Sequence, residues 1–258
     1  EEFMDLAIPY IFGCQTTVKG LFKKQYADGI LGMAIHETSI VAALYKENAI
    51  RRHAFSMCLT RTTGTLGLGG ISSTSLHQEP MAFSPIIRDH GWFALKVWSV
   101  RLGGVCVACP NSPLLDSFDG GKGTILDSGT TDSYLPEHIA PVFQEVWTEL
   151  TGLDYAKRKR KYTFTQFKSL PDIEFTFEGN LTLTVPPFNY MEGVPNETWT
   201  GKKELVNRMY LDEPEGAVLG ANVMFGHDIL FDTQARRVGI AKARCDLQTT
   251  GVHSFRMT

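Results

Sequence analysis

Short apolar segments that alternate with polar residues run along most of the chain, and they constrain its fold more than any other feature. Residues 173–177 and 181–185 alternate on either side of a Gly-Asn pair, and a period of two is typical of half-buried β-strands. The 24 glycines and 12 prolines supply the turns that many short strands need. Apolar residues have helical spacing at residues 39–45 and 136–150. We therefore predict an all-β fold with two short helices.

The other segments divide into strands and loops. Residues 54–59 and 64–68 are predicted as strands, and residues 3–22 as shorter strand runs broken by glycine. Residues 71–80 are rich in Ser and Thr without any periodicity, which predicts an exposed loop or a linker. The basic run at residues 157–161 is interpreted as a solvated loop rather than a processing site or a polyanion patch, because composition alone does not make a site.

Charge and hydropathy exclude several classes of protein. Lys and Arg total 25 against 28 Asp and Glu, and a net charge of −3 argues against a nucleic-acid-binding protein that works by counterion release. No window of 18 apolar residues occurs, which argues against a membrane-spanning helix in this segment. At 43% hydrophobic residues, the chain has enough apolar material for a packed core. The chain starts at Glu1 without a leader pattern, so we expect the amino terminus to be a cut.

One apolar strand delivers an acid into a turn of small residues. Residues 124–126 are followed by the segment Asp-Ser-Gly-Thr-Thr at residues 127–131, and the hydroxyl and N–H groups of such a turn can hydrogen-bond a carboxylate. An Asp-Ser-Gly triplet alone is a weak signal, because the same residues form Asx-turns that merely cap strands. On the triplet alone, a catalytic carboxylate and a strand cap both stay open.

The segments around Asp127 favour the catalytic interpretation. Residues 125–136 resemble the second active-site loop of pepsin-like aspartic proteases. The segments before and after this loop are similar to further signatures of that family in the same order, as in its plant, plasmepsin and memapsin-like branches. These segments are residues 12–15, 20–22, 27–32, 55–59, 67–70, 92–104, 170–173, 218–220, 231–232 and 237–241. The resemblance therefore covers nearly the whole chain.

This resemblance implies a bilobal pepsin-like acid protease fold and the activity of an aspartic endopeptidase. Residues 1–60 would be the last part of the amino-terminal lobe with the interlobe strands, and residues 61–258 the complete carboxyl-terminal catalytic lobe. Asp127 would be one of two aspartates that share a proton and activate a water molecule, since two close carboxyls cannot both ionise. No metal ion or organic cofactor is implied. The residues expected to support the loop are Ser128, Gly129, Thr130 and Thr131.

The sequence also departs from the family pattern. It lacks the first Asp-Thr/Ser-Gly loop and the flap hairpin with its Tyr, so we expect a fragment that needs the amino-terminal half as a partner and is inactive alone. A homodimer with two copies of Asp127 is disfavoured, because two identical patches would have to be self-complementary. The alternatives are a pepsin-like binding or inhibitor protein without hydrolysis, and a structural β-domain in which Asp127 caps a strand.

The same resemblance suggests roles for several further residues. Tyr134 and Tyr190 are similar to residues near the groove that holds a peptide or protein substrate, although packing in the core is an equal alternative for both. Cys58 and Cys245 resemble a pair that forms a disulfide in some branches of the family, which would leave Cys14 without a partner.

The remaining cysteines and two asparagines bear on metal binding and on the compartment. Cys106 and Cys109 have the spacing of a redox or zinc motif, but no second pair accompanies them, and a local disulfide or separate structural bridges are favoured. The seven histidines are scattered, which argues against zinc. Asn180 and Asn196 begin glycosylation sequons. Together with the cysteines, they predict a secretory pathway protein in an extracellular or vacuolar/lysosomal-type compartment.

Overall fold

The computed structural model describes residues 7–23, 27–88, 91–195 and 199–246. In these ranges the chain forms 17 β-strands and five α-helices. The strands are β1 (Ala54–Leu59), β2 (Gly64–Leu68), β3 (Ala82–Pro85), β4 (Ala94–Leu95), β5 (Val97–Leu102), β6 (Val105–Ala108), β7 (Thr124–Leu126), β8 (Ser133–Pro136), β9 (Arg160–Tyr162), β10 (Ile173–Phe177), β11 (Leu181–Val185), β12 (Met191–Glu192), β13 (Lys203–Asn207), β14 (Met209–Glu213), β15 (Ala217–Leu219), β16 (His227–Asp232) and β17 (Arg237–Lys242). The prediction of a mostly β protein is confirmed.

The helices are fewer than the strands, but there are more of them than the sequence predicts. They are α1 (Ile40–Lys46), α2 (Ala140–Thr151), α3 (Phe164–Lys168), α4 (Pro187–Tyr190) and α5 (Ala221–Met224). The hydroxyl of Ser39 caps α1 by accepting a hydrogen bond from the N–H of Ala42 at 3.2 Å. Helix α2 begins later than residue 136, because Pro136 still belongs to β8 and a 3-10 turn intervenes. The two predicted helices are thus confirmed, and three helices of four or five residues are additional.

The first sheet, which we call the connecting sheet, joins strands from distant parts of the chain. Its order is β2-β1-β16-β17-β3, and all neighbours are antiparallel. Strand β1 pairs with β16 from Ala54 opposite Asp232 to Cys58 opposite Asp228. Strand β1 therefore forms a sheet with strands from the carboxyl-terminal end of the chain.

Two disulfides are present in the described part of the chain. The disulfide between Cys58 and Cys245 joins β1 to the segment after β17, as the family resemblance implies. Cys106 and Cys109 form a local disulfide. Cys14 is exposed and free. The pairing of Cys58 and Cys245 fixes the connecting sheet to the last described residues of the chain.

A second sheet and α2 enclose most of the core. The sheet has the order β11-β10-β5-β6, and its inner positions alternate with polar outer ones, so that Ile173, Phe175 and Phe177 are fully buried. Phe143 and Trp147 of α2 belong to the same apolar cluster. A smaller sheet, β12-β13-β9, completes this part of the molecule.

The third large sheet, which we call the crossed sheet, has an unusual connectivity. Its order is β14-β8-β15-β7-β4. Strand β15 lies between β7 and β8, parallel to β7 and antiparallel to β8. Strands β7 and β8 follow each other in sequence, yet a strand that comes about 90 residues later separates them. The loop that joins β7 to β8 must therefore pass across the end of β15.

Residues 7–38, which we call the leading segment, differ from the rest of the chain. In its described residues it has one 3-10 turn, Gly20–Lys23, and no strand. The strand runs predicted at residues 3–22 are therefore wrong for residues 7–22, while residues 3–6 lie outside the described part. Alternation alone does not make a strand where no neighbouring strand supplies hydrogen bonds.

None of the helices in the described ranges is long and apolar enough to cross a membrane.

Candidate active site

The position of Asp127 is fixed by β7 and its neighbour β15. The N–H of Asp127 donates to the carbonyl of Leu219 at 3.0 Å, which continues the parallel pairing of the two strands. Successive side chains of a strand point to opposite faces. Leu126 enters the main core cluster, whereas Ile125 belongs to a separate small cluster with Val218. Asp127 therefore projects from the face that Ile125 and Val218 occupy, away from the main core.

The turn after β7 holds both oxygens of the Asp127 carboxyl. The N–H of Gly129 donates to Oδ1 at 3.0 Å, and the hydroxyl of Thr130 donates to Oδ2 at 2.7 Å. The N–H of Thr130 also donates to the Asp127 carbonyl at 3.2 Å. A Cβ atom on Gly129 would lie 3.1 Å from Oδ1, so a larger residue there would press on the carboxyl. Ser128 is half-buried in this turn, and the carboxyl itself is only partly exposed.

Gly220 lets the turn pass across the end of β15. A Cβ atom at this position would lie 2.1 Å from the carbonyl oxygen of Asp132 and 2.6 Å from that of Thr130. The backbone N–H of Ala221 then donates to the Thr130 carbonyl at 2.7 Å, and the N–H of Asn222 to the Thr131 carbonyl at 3.2 Å. Glycine is required here because the two backbones approach too closely for any side chain. The turn that holds Asp127 and the end of β15 thus form one hydrogen-bonded unit.

A buried hydrogen-bond network supports this unit. The sequence did not predict it. The hydroxyl of Ser133 accepts from the N–H of Gly220 at 2.9 Å and donates to Asn222 Oδ1 at 2.6 Å. Asn222 Nδ2 donates to the carbonyl of Arg208 at 3.1 Å. Ser133 and Asn222 are both buried, and buried polar groups are retained where they have partners. The sequence carries one weak signal for this network, which is the buried position of Ser133 in β8.

Tyr134 and Tyr190, the two predicted groove residues, have different environments. Tyr134 is half-buried, lies opposite Val218 on the same face as Ile125, and stacks on Tyr210 with ring centroids 5.1 Å apart. Tyr134 therefore shares a face of the crossed sheet with Asp127.

For Tyr190 the structure agrees with the core alternative and not with a place in the groove. Its side chain is fully buried, and its hydroxyl donates to the carbonyl of Pro171 at 2.7 Å. Its ring packs against that of Trp147, and burial raises the pKa of its hydroxyl well above the ordinary value. Tyr190 ends α4 and belongs to the main apolar cluster together with Trp147 of α2. A side chain buried there cannot contact a substrate.

The other predicted site residues lie apart from Asp127. Thr131 is exposed at the outer part of the turn. Asn180 is exposed in the turn between β10 and β11, with a positive φ of 59°, whereas Asn196 lies outside the described residues. Within the described ranges no group of three His, Cys, Asp or Glu side chains has the arrangement of a metal site.

The chemistry that this arrangement supports is limited by the number of carboxylates. Asp127 is positioned by hydrogen bonds to both oxygens and faces a surface rather than the core. The nearest acid in sequence, Asp132, contacts Arg208 at 3.6 Å and is not paired with Asp127. In an aspartate dyad one carboxyl acts as general base and the other as general acid, so two carboxyls close enough to share a proton are needed. The described residues provide one such group.

Comparison with known proteins agrees with this geometry. The family model described as eukaryotic aspartyl protease matches residues 2–243. Aspartic proteinase 36 of Arabidopsis thaliana is 26% identical over 251 residues, which cover 93% of this chain and 50% of the relative. A beta-secretase of Strongylocentrotus purpuratus is 26% identical over 203 residues, covering 70% of this chain and 36% of the relative.

A third relative, secreted aspartic protease 4 of Candida albicans, is 26% identical over 235 residues, which cover 86% of this chain and 52% of the relative. The chain thus spans about half the length of two of these curated relatives and about a third of the beta-secretase. The match of the family model extends from the leading segment to β17 and includes the turn that holds Asp127. The chain therefore belongs to the eukaryotic, pepsin-like aspartyl protease family.

Proposed function

We propose that this chain contributes one catalytic aspartate, Asp127, to an aspartic endopeptidase that hydrolyses peptide bonds. The observation that carries the proposal is the carboxyl of Asp127, which is held by Gly129 and Thr130 on the outer face of the crossed sheet. A strand cap would not need the close backbone approach at Gly220 or the network of Ser133 beneath it. This rigid support is what a positioned catalytic carboxyl requires.

The proposed mechanism uses Asp127 together with a second aspartate from another part of the whole protein. Two carboxyls that face each other share one proton, because both cannot ionise at short distance. The ionised carboxyl removes a proton from a water molecule that attacks the peptide carbonyl, while the protonated carboxyl polarises the carbonyl oxygen. The hydrogen bonds from Gly129 and Thr130 fix the orientation of Asp127 during both steps.

The second aspartate and the substrate-covering flap would come from an amino-terminal half outside these residues. In this proposal residues 1–60 belong with that half as its last part and the interlobe strands, and residues 61–258 form the carboxyl-terminal lobe. Two observations support it: the chain spans about half of Aspartic proteinase 36, and the leading segment exposes large apolar side chains such as Ile11 and Phe12. Such exposed side chains suit a surface that packs against more polypeptide.

The test is cleavage of a peptide by the full-length protein with and without the substitution Asp127→Asn. We expect the substitution to lower kcat by about 10²–10⁴-fold, because the amide can neither donate nor accept the catalytic proton. Asp154→Asn is the matched control, since Asp154 is an exposed carboxylate with one weak ion contact to Arg160. Thermal unfolding of both variants checks that they fold.

Two results would contradict the proposal. Full activity of the Asp127→Asn variant would show that another group performs the chemistry. A full-length protein that binds peptides and cleaves none would instead make it a pepsin-like binding or inhibitor protein.

We also propose that the protein enters the secretory pathway. The two disulfides and the exposed sequon at Asn180 support this location, and the relatives include a protein named as secreted. Treatment of the protein from its natural source with an endoglycosidase should increase its gel mobility, and Asn180→Gln should remove part of that shift. An unshifted band together with free thiols at Cys58 and Cys245 would contradict it.

A further inference from the structure

The face of the crossed sheet that carries Asp127 continues onto strands β8 and β14. Val218 of β15 pairs with Ile125 of β7 on one side and with Tyr134 of β8 on the other. Paired residues in neighbouring strands project from the same face, and Ile125 shares its face with Asp127. Tyr134 therefore lies on the face of Asp127, two strands away, which is about 10 Å across the sheet.

A patch of aromatic and charged side chains extends this face. Tyr210 of β14 pairs with Tyr134, and the residues two positions earlier, Arg208 and Asp132, lie on the same face. Glu192 of β12 joins them through its contact with Arg208. We call Asp132, Tyr134, Glu192, Arg208 and Tyr210 the Tyr134–Arg208 patch. No part of the catalytic proposal uses it.

The hydrogen-bonding capacity of Arg208 is largely taken up within the patch. Its Nε and Nη2 atoms donate to Glu192, and its Nη1 donates to the hydroxyl of Tyr210 at 3.0 Å. These partners raise the pKa of the guanidinium above its ordinary value. Arg208 is thus a fixed cation with few donors left for a substrate, so the patch is not suited to bind an acidic side chain.

Asp132 is held by fewer contacts than Arg208. Its Oδ2 lies 3.6 Å from Arg208 Nη1, which is an ion contact without a hydrogen bond. Partial burial raises the pKa of its carboxyl, and the charge of Arg208 and a hydrogen bond with the Tyr210 side chain oppose that rise. A carboxylate has about four acceptor positions, so it can accept further hydrogen bonds. A poorly solvated carboxylate gains from a second cation that can donate hydrogen bonds to it.

One aromatic ring of the patch, that of Tyr210, already lies beside the cation of Lys157. The ammonium of Lys157 lies 5.5 Å from the centre of the Tyr210 ring and forms an ion pair with Asp212. The Tyr210 ring therefore already lies beside a positive charge, as cation–π attraction favours. Counting Lys157 and Asp212 with the patch gives three acids against two bases, so its net charge is negative.

We propose that the Tyr134–Arg208 patch is a specificity subsite that accepts a Lys or Arg side chain of the peptide substrate, with Asp132 as its acceptor. The inference rests on the proposed proteolytic function and names a substrate class for it. An extended peptide advances about 3.3 Å per residue, so a separation of about 10 Å places the basic side chain within about three residues of the scissile bond.

The test compares matched peptides with the full-length protein and its Asp132→Asn variant. The peptides differ only in having Lys or Gln at one of the three positions on either side of the scissile bond. We expect wild-type protein to prefer Lys at one position by at least about tenfold in kcat/KM, as a hydrogen bond to a charged group implies. Asp132→Asn should bring the ratio of the two kcat/KM values close to one, mainly through KM. Asp154→Asn, which removes the same charge elsewhere, should leave the ratio unchanged.

The outcomes separate this proposal from the proteolytic one. If wild-type protein cleaves Lys and Gln peptides equally well at every position, or if Asp132→Asn keeps the preference, the subsite proposal is wrong while the proteolytic one stands. If neither peptide is cleaved, the proteolytic proposal is wrong. The affinity of the same peptides, measured by calorimetry, then tests the subsite proposal. Equal affinity for Lys and Gln peptides would overturn the subsite as well, and tighter binding of Lys that depends on Asp132 would support it.

Discussion

The leading segment and the body of the molecule, residues 39–246, use apolar residues in opposite ways. In the body, Trp147 and Phe175 are buried to within 1% of their surface, whereas in the leading segment Ile11 and Phe12 expose 96% and 76% of theirs. Burial of one large apolar side chain is worth about 1.5–3 kcal/mol. Ile11 and Phe12 therefore contribute little to the stability of the body, whereas Met33 and Ile35 at the end of the leading segment pack against its core.

This difference shows what an apolar pattern means. A hydrophobic residue in a sequence indicates that some surface will cover it, but the pattern does not say which surface. In the body that surface is supplied by other residues of the body itself. In the leading segment we propose that it is the amino-terminal half of the whole protein, and the following experiments test how independent the two parts are.

The largest effect is expected from the disulfide between Cys58 and Cys245. These residues are 187 apart in sequence, and the loop-closure entropy of such a crosslink is worth about 5 kcal/mol. Replacing both with Ala should lower the free energy of unfolding by nearly that amount, measured with denaturant. Cys14→Ser, at the exposed free cysteine of the leading segment, should change it by less than about 0.5 kcal/mol. A large loss in this control would mean that the leading segment unfolds together with the body.

The core of the body should show the next largest effect. Phe175 is fully buried against Phe177, and Phe175→Ala should lower the free energy of unfolding by about 4 kcal/mol, because it removes apolar contact and leaves a cavity. Phe12→Ala is the counterpart in the leading segment and should cost less than about 0.5 kcal/mol. Similar losses in the two variants would show that Phe12 packs against the body in solution.

Gly220 at the end of β15 and Gly13 in the leading segment differ in the free space that a side chain would find. Gly220→Ala puts a Cβ atom 2.1 Å from the Asp132 carbonyl oxygen, and relieving that overlap should cost about 3 kcal/mol. A Cβ atom on Gly13 has no neighbour within 4 Å, so Gly13→Ala should be nearly neutral. Thermal unfolding measures both, and an unchanged melting temperature for Gly220→Ala would contradict the crossing described above.

The smallest effect concerns the pH dependence of the connecting sheet. Burial raises the pKa of the Asp228 carboxyl, and the contact with His77 at 2.8 Å opposes that rise. Because its pKa is higher in the folded than in the unfolded protein, this group stabilises the fold most below about pH 4 and loses that contribution as the pH rises through the folded pKa. Asp228→Asn should flatten this decline in a series of unfolding curves. Asp28→Asn, in the leading segment, should leave the decline as it is.

Much of the fold could be predicted because its signals are local. Strands β1, β2, β10 and β11 have the predicted bounds, since alternation and turn residues are read within a few positions. Ser39 caps α1 for the same reason. The turn of Asp127 was found because strand, acid and glycine are consecutive in the sequence.

What could not be predicted depends on contacts between distant residues. Helices α3, α4 and α5 have four or five residues, too few to show a helical period. Tyr190 is indistinguishable by type from a groove tyrosine, and only the packing around it shows that it is buried. The partners of Ser133 follow from the crossing of β15 between β7 and β8, and the contact of Asp132 with Arg208 follows from the pairing of β14 with β8. No local pattern encodes either arrangement.

That crossing also sets the order of events during synthesis. Asp127 leaves the ribosome about 90 residues before Leu219, whose carbonyl receives its N–H. At about 5–20 residues per second, the delay is roughly 5–18 seconds. During this time the aspartate cannot have its final hydrogen bonds, because the strand that separates β7 from β8 does not yet exist. A newly made chain therefore acquires the geometry of this site only after the residues around Leu219 have also been made.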